Sequence, residues 1–253
     1  MDTLKIALLG FIQGFTELLP ISSSAHLILS SKLLDIEMDT YLLSVLHLGT
    51  TLALIIYFYN FLFKDIFTKK KISIYLKILI STIPAGIVGL IFESIIEEKL
   101  RGNIFIAISL ILWGIVMVLI ERRREPNEKE FEEITWRQSL AMGLSQIFAL
   151  IPGGSRSGIS TIFGMFTGLN KYTAIQYSFL LGLPLLLAAP LYQIYKEYPQ
   201  RVLNIKDVFG ILIAGIITYL GLIVLKKYSK KNWLTLFGIY RILLGILLLF
   251  LQL

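Results

Sequence analysis

The sequence predicts an all-α integral membrane protein: six transmembrane helices plus two re-entrant helix hairpins in an inverted-topology repeat. Three observations carry this expectation. Of the 253 residues, 56% are hydrophobic and 16% charged, with a mean hydropathy of +0.76, whereas soluble domains carry about 25% charged residues. Six apolar runs approach the ~20 residues that a helix needs to cross the hydrocarbon core. Two more runs are too long for one crossing, and both are broken centrally by Pro, Gly, Ser and a charge.

The first broken run, about 5–34, contains Gln13-Gly14-Phe15-Thr16-Glu17-Leu18-Leu19-Pro20-Ile21-Ser22-Ser23-Ser24-Ala25-His26. Each arm has about fifteen residues, too few to span. A re-entrant hairpin is therefore expected, which is tolerated at membrane depth only where protein or a wet cavity covers the broken backbone. Crossings follow at 41–63, 74–92 and 104–120, and then a charged linker from Glu121 to Glu133. The second broken run, 137–169, holds Pro152-Gly153-Gly154-Ser155-Arg156-Ser157-Gly158 and reads as a second hairpin. The last crossings are 172–195, 208–225 and 233–251. Tyr41, Trp136 and Trp233, near run ends, fit interfacial anchors.

Composition also excludes several classes. There is no cysteine, which removes disulfide and thiol chemistry, and the two histidines do not suit a zinc cluster. The start, Met1-Asp2-Thr3-Leu4-Lys5, lacks the pattern of a removable signal peptide. The net charge of +7 belongs to cytoplasmic loops and not to a nucleic-acid surface. Counting crossings puts Lys64, Lys69, Lys70, Lys71, Arg122, Arg123, Arg124, Arg137, Lys171 and Lys226 on one side with several more lysines, against far fewer basic residues on the other. The positive-inside rule then places both termini and the mouth of the first hairpin outside the cell membrane, with the second hairpin entering from the cytoplasm.

The chain reads as a single membrane domain, 1–253, built from halves 1–125 and 134–253. Gly10-x-x-Gln13 recurs as Gly143-x-x-Gln146, Pro20 as Pro152, Leu48-Gly49 as Leu181-Gly182, and Ala85-Gly86-Ile87 as Ala214-Gly215-Ile216. Each half holds one hairpin and three crossings, an odd number, so the halves are inverted relative to each other. The two breaks would then meet near the midplane.

At that meeting place the residues suit an anion. Ser22 or Ser23 can cap the helix after Pro20, and the Gly153–Gly158 segment offers backbone N–H groups, hydroxyls and the forked guanidinium of Arg156. Gln13 and Glu17 share a helix face, and Ser22 and Ser23 precede His26 by four and three residues, so either hydroxyl could lie beside the imidazole. A serine beside a base and a phosphate clamp suggests phosphoryl transfer. His47 reads as a packing or hydrogen-bonding residue, and Arg241 could neutralise substrate or pair with Glu17.

These residues resemble a known family. Gln-x-x-x-Glu with Leu-Pro-Ile-Ser-Ser-Ser-Ala-His, followed by Pro-Gly-Gly-Ser-Arg-Ser-Gly-Ile-Ser, is similar to the two signatures of the undecaprenyl-diphosphatase family of the bacitracin-resistance type, and the likeness extends to Ile239-Tyr240-Arg241. The resemblance implies hydrolysis of a polyprenyl diphosphate to the monophosphate, which recycles the lipid carrier of cell-envelope glycan synthesis. It implies Glu17 and Arg156 as essential groups, Ser23 as nucleophile and His26 as its acid/base partner. Gln13, Ser22, Ser24, Gly153, Gly154, Ser155, Ser157, Ser160 and Arg241 would bind substrate. A divalent cation, Mg2+ or Ca2+, would sit at Glu17 and Gln13. Three positions depart from the usual pattern: Gln13 where many members carry Glu, Ala25 for Gly, and Ser160 for Thr.

Two other classes share features with this pattern. An acid-phosphatase-type lipid phosphatase needs a histidine after its Ser-Arg pair, and none follows Ser155-Arg156. A polyprenyl-phosphate flippase or anion transporter also suits facing hairpins. Partners are the lipid substrate and the bilayer, with no nucleic acid; the sequence admits a homodimer as well as a monomer.

Overall fold

The computed structural model describes residues 3–36, 39–122, 131–228 and 233–251. Most of the charged linker, and Lys230 and Lys231, lie outside the described residues. The described chain is helical without a strand. The elements are α1 (Thr3–Leu18), α2 (Ser23–Leu33), α3 (Thr40–Tyr57), α4 (Tyr59–Phe63), α5 (Lys69–Ile91), α6 (Glu93–Lys99), α7 (Asn103–Glu121), α8 (Trp136–Ser145), α9 (Arg156–Phe166), α10 (Lys171–Glu197), α11 (Ile205–Tyr228) and α12 (Trp233–Leu251).

Among the described residues six helices are long and apolar enough to cross a membrane: α3, α5, α7, α10, α11 and α12. They are the six crossings expected. The chain is a multi-pass membrane protein, and its outward side chains show it. Leu79, Ile80 and Ile83 on α5, Leu112 and Leu119 on α7, and Leu212, Ile216 and Leu220 on α11 are exposed, which is stable only where lipid surrounds them. The run expected at 41–63 stops earlier, at Tyr57, and a separate short helix, α4, follows.

Both broken runs form two short helices that pack on each other, α1 with α2 and α8 with α9. α1 has 16 residues, α2 and α9 have 11 each and α8 has 10. A 3₁₀ turn, Phe148–Leu150, lies in the second break. Around these pairs α1 lies along α11, α11 along α3, and α3 along α10; α5 packs on α8, and α7 on α12. Glycine permits the closest approaches: a Cβ at Gly49 would stand 2.1 Å from the carbonyl oxygen of Ile211, so α3 and α11 come this close because position 49 has no side chain.

Caps explain several helix starts. Asp39 accepts from Leu42 N at 2.8 Å, Asn170 accepts from Thr173 N at 2.8 Å, and Thr135 and Gln138 form a reciprocal capping box at α8. Glu121, at the end of α7, accepts from Leu234 N and Thr235 N at the start of α12 and pairs with the buried Lys171 Nζ at 2.8 Å. Two of the expected interfacial anchors are instead buried. Tyr41 lies beneath the Arg201 guanidinium, 4.0 Å from its ring centroid, and Trp233 joins the core edge; Trp136 alone of the three is exposed.

Candidate active site

The two breaks in the helices meet. Ser22 and Ser155 are the N-cap residues of α2 and α9, 133 positions apart, and both take positive φ, 73° and 32°. Non-glycine residues pay about 1–3 kcal/mol for such backbones, and strain of this kind clusters at functional sites. Each serine hydroxyl accepts from an N–H in the first turn of its helix, Ala25 N at 3.4 Å and Gly158 N at 3.3 Å. Ser22 Oγ also accepts from Gly153 N at 3.1 Å, which ties one break to the other. Arg241, fully buried on α12, completes the tie by donating to the carbonyls of Pro20, at 2.8 Å, and Gly153, at 2.5 Å.

Glu17, at the end of α1, is the centre of the polar cluster. Its Oε1 accepts from Arg156 Nη2 at 2.7 Å. Its Oε2 accepts from Ser23 Oγ at 2.7 Å and Gln13 Nε2 at 3.1 Å, and lies 3.3 Å from His47 Nε2 on α3. Arg156 Nη1 donates to the carbonyl of Ser178 on α10 at 3.0 Å, and Ser157 Oγ to the carbonyl of Glu17 at 3.4 Å. Arg156 can lie against α10 because position 182 is glycine: a Cβ there would fall 1.8 Å from Nη1.

A cavity of about 280 Å³ opens onto this cluster. Its polar wall includes Glu17, Ser22, Ser23, Ser24, Ser155 and Arg156, and its apolar wall includes Ile28, Leu43, Leu185 and Leu186. Pro190 also lines it and shapes the wall through its missing N–H, which leaves the Leu186 carbonyl without its helical partner; the one hydroxyl proton of Thr51 is shared between that oxygen, at 2.9 Å, and the His47 carbonyl, at 2.7 Å.

Residues 6–247 match the model described as bacitracin resistance protein BacA. The chain belongs to this BacA family. It is 33% identical over 266 residues to undecaprenyl-diphosphatase 1 of Clostridioides difficile strain 630, with 98% of this chain and 96% of that protein covered. It is 36% identical to the undecaprenyl-diphosphatase of Methanococcus aeolicus over 259 residues, with 98% of each chain covered. It is also 36% identical to that of Chloroherpeton thalassium over 272 residues, with 98% of this chain and 96% of the relative covered.

Most of the expected site residues gather in this BacA-family chain, but not all as expected. Gln13, Glu17, Ser22, Ser23, Ser24, Ser155, Arg156 and Ser157 come together, and Gly153 contributes both its N–H and its carbonyl to the tie between the breaks. Gly154 is the tight corner, where a Cβ would stand 2.7 Å from the Phe148 carbonyl. Ser160 is buried one turn into α9 with its hydroxyl unpartnered, and it does not reach the cavity wall. Arg241 does not pair with Glu17: its two Nη groups go to backbone carbonyls.

The expected Ser23–His26 pair is not formed. His26 Nδ1 donates to the Ser22 carbonyl at 2.8 Å, so Nε2 of the neutral ring accepts from Tyr240 Oη at 2.7 Å. Both ring nitrogens are engaged, and Ser23 turns to Glu17 instead. Three-residue spacing allowed the contact, but α2 packs on α1 and the Ser23 hydroxyl finds the Glu17 carboxylate there. The residue that sequence spacing left out is His47. Its signal was its type alone, an ionisable group within a span.

The donor set fits a divalent cation only in part. Among the described residues no group of three or more His, Cys, Asp or Glu side chains gathers for a metal. Gln13 Oε1, however, is a buried oxygen without a partner beside Glu17. One carboxylate and one amide oxygen suit a hard cation whose other ligands are water and substrate phosphate.

Proposed function

We propose that the protein is a membrane phosphatase that hydrolyses an undecaprenyl-type polyprenyl diphosphate to the monophosphate and inorganic phosphate. The observation that carries this reading is the Glu17 carboxylate held between the Arg156 guanidinium and the Ser23 hydroxyl, at 2.7 Å from each. A guanidinium and a serine joined by one carboxylate are the parts of a phosphoryl-transfer site: a fork for phosphate oxygens, a hydroxyl nucleophile and a base in hydrogen-bond reach. The relatives' names agree with it. The apolar wall of the cavity suits the isoprenoid end of such a substrate.

In this mechanism the diphosphate takes its place between α2 and α9, whose first-turn N–H groups and Arg156 receive the phosphoryl oxygens. Ser23 Oγ attacks the terminal phosphorus and passes its proton to Glu17, which hands it to the departing polyprenyl monophosphate. Water then attacks the phosphoserine and gives a proton to Glu17, which returns it to Ser23 Oγ as inorganic phosphate leaves. Ser22 is less suited to attack, because its oxygen already accepts from Ala25 N and Gly153 N. Glu17 and Gln13 Oε1 would hold a Mg2+ or Ca2+ ion, which would neutralise phosphate charge.

The two helix pairs are proposed as re-entrant hairpins of an inverted repeat. Equivalent strained serine caps support this, as does reciprocal packing across the halves, α1 of the first on α11 of the second and α8 of the second on α5 of the first. The external orientation is supported by the cavity wall, which includes Thr40, Ile96 and Arg101, all on the side poorer in Lys and Arg.

The test uses purified protein with diphosphates of several isoprenoid lengths, with and without chelator, and measures phosphate release. Release that depends on chain length and is lost in Glu17→Gln is expected, with phosphate trapped on Ser23 after acid quench. Release unchanged in Ser23→Ala would remove the covalent step in favour of direct attack by water.

A further inference from the structure

We infer that Gln146 is a diphosphate-binding residue, its side-chain amide donating to a phosphoryl oxygen in the cavity. This rests on the proposed reading of the site and extends it to a residue outside the Glu17 cluster. Gln146 follows the last residue of α8 and is 1% exposed. Neither its Nε2 nor its Oε1 has a hydrogen-bond partner, and the residue lines the same cavity as Glu17, Ser23 and Arg156. Because both amide atoms are unpartnered, the inference does not depend on which of them is nitrogen.

The sequence explains why the amide is left open. Gln13 and Gln146 stand 133 residues apart, at the same register of the two broken runs. Gln13 spends its N–H on Glu17, four residues on. The position four residues after Gln146 is Leu150, which has no group to accept it and lines the cavity too. A buried amide without a partner destabilises a fold, and leucine would fill the same space without that cost. A polar group kept there is explained by a ligand that supplies its hydrogen bond when it binds. The ligand chemistry follows from the neighbours: Arg156 and the α9 N-terminus select an anion with oxygens to spare, and a neutral amide adds a donor without adding charge.

The experiment compares wild type, Gln146→Leu and Gln146→Met, the second keeping an unbranched side chain of similar length. The probe is a farnesyl methylenediphosphonate, which binds as a diphosphate but cannot be hydrolysed. Affinity and Tm are measured in detergent with and without it, beside phosphate release from the matching diphosphate. The expected result is an unliganded Tm equal to or above that of wild type, affinity for the probe about tenfold or more weaker, and kcat/KM lowered by a similar factor. Affinity within twofold of wild type in both variants would overturn the inference. So would a fall in unliganded Tm in both, since the amide would then serve the fold. Probe binding that depends on Gln146 without any hydrolysis by wild type would sink the phosphatase reading and leave this inference standing. Hydrolysis by wild type with Gln146-independent binding would do the reverse.

Discussion

At the scale of single residues, the proposed chemistry centres on one carboxylate with four neighbours. Glu17 receives Arg156 on one oxygen and Ser23, Gln13 and His47 on the other. Arg156→Ala is expected to lower kcat/KM by about 10²–10³, the cost of removing one preorganised donor to developing charge. Arg156→Lys should not restore it, because an ammonium cannot reach Glu17 and the Ser178 carbonyl with one planar fork; steady-state phosphate release measures both. Ser23 and His26 have no common hydrogen bond, so their effects should multiply. The double variant Ser23→Ala/His26→Ala is expected to show the product of the two single losses in kcat/KM, and a double loss no greater than Ser23→Ala alone would mean that the imidazole reaches the hydroxyl during turnover.

At the scale of elements, the site depends on how α10 is broken open and on what it lacks. Pro190 frees the Leu186 carbonyl, and the Thr51 hydroxyl on α3 is shared between it and the His47 carbonyl. Thr51→Val keeps the shape and removes the donor, so it should cost about 1–3 kcal/mol, seen as a lower Tm in detergent, while Thr51→Ser should stay near wild type. Gly182 serves α10 differently, by giving Arg156 room. Gly182→Ala puts a methyl group into the guanidinium and should reduce kcat/KM by more than about tenfold, the loss expected from an ångström-scale misplacement, with helical circular dichroism preserved. If Gly182→Ala turns over as wild type, Arg156 does not act from the position it holds against α10.

At the scale of the whole molecule, six long helices enclose two short helix pairs whose breaks are tied together by Ser22, Gly153 and Arg241. The apolar outer surface faces lipid, and the polar cluster is reached from one end. A cysteine at Lys70, in the first turn of α5, should be labelled only from the cytoplasmic side, and one at Tyr198, after α10, only from outside. Labelling of both from the same side by a membrane-impermeant maleimide would undo the proposed crossing count. Arg241 is the residue that links this scale to the first: it is among the largest fully buried side chains of the described residues, and it holds the backbones of both breaks.

The sequence by itself determined the membrane class, the six crossings and the two breaks, because span length and apolar composition act locally and leave a one-dimensional record. It also singled out Glu17 and Arg156 as candidate site residues, since an ionisable group among apolar residues stands out without any knowledge of its neighbours; spacing left Ser22 and Ser23 open, and only the family resemblance chose Ser23. Partners across the chain left no such record. That Ser23 meets Glu17 and not His26 follows from the packing of the start of α2 on the end of α1. That His47 joins the carboxylate follows from the approach of α3 to α1. That Arg241 ties the breaks from 221 and 88 residues away follows from α12 passing behind them. Only the tertiary structure decided these, because a hydrogen bond is set by distance and direction in space, and residue spacing along a helix constrains neither for a partner on another one.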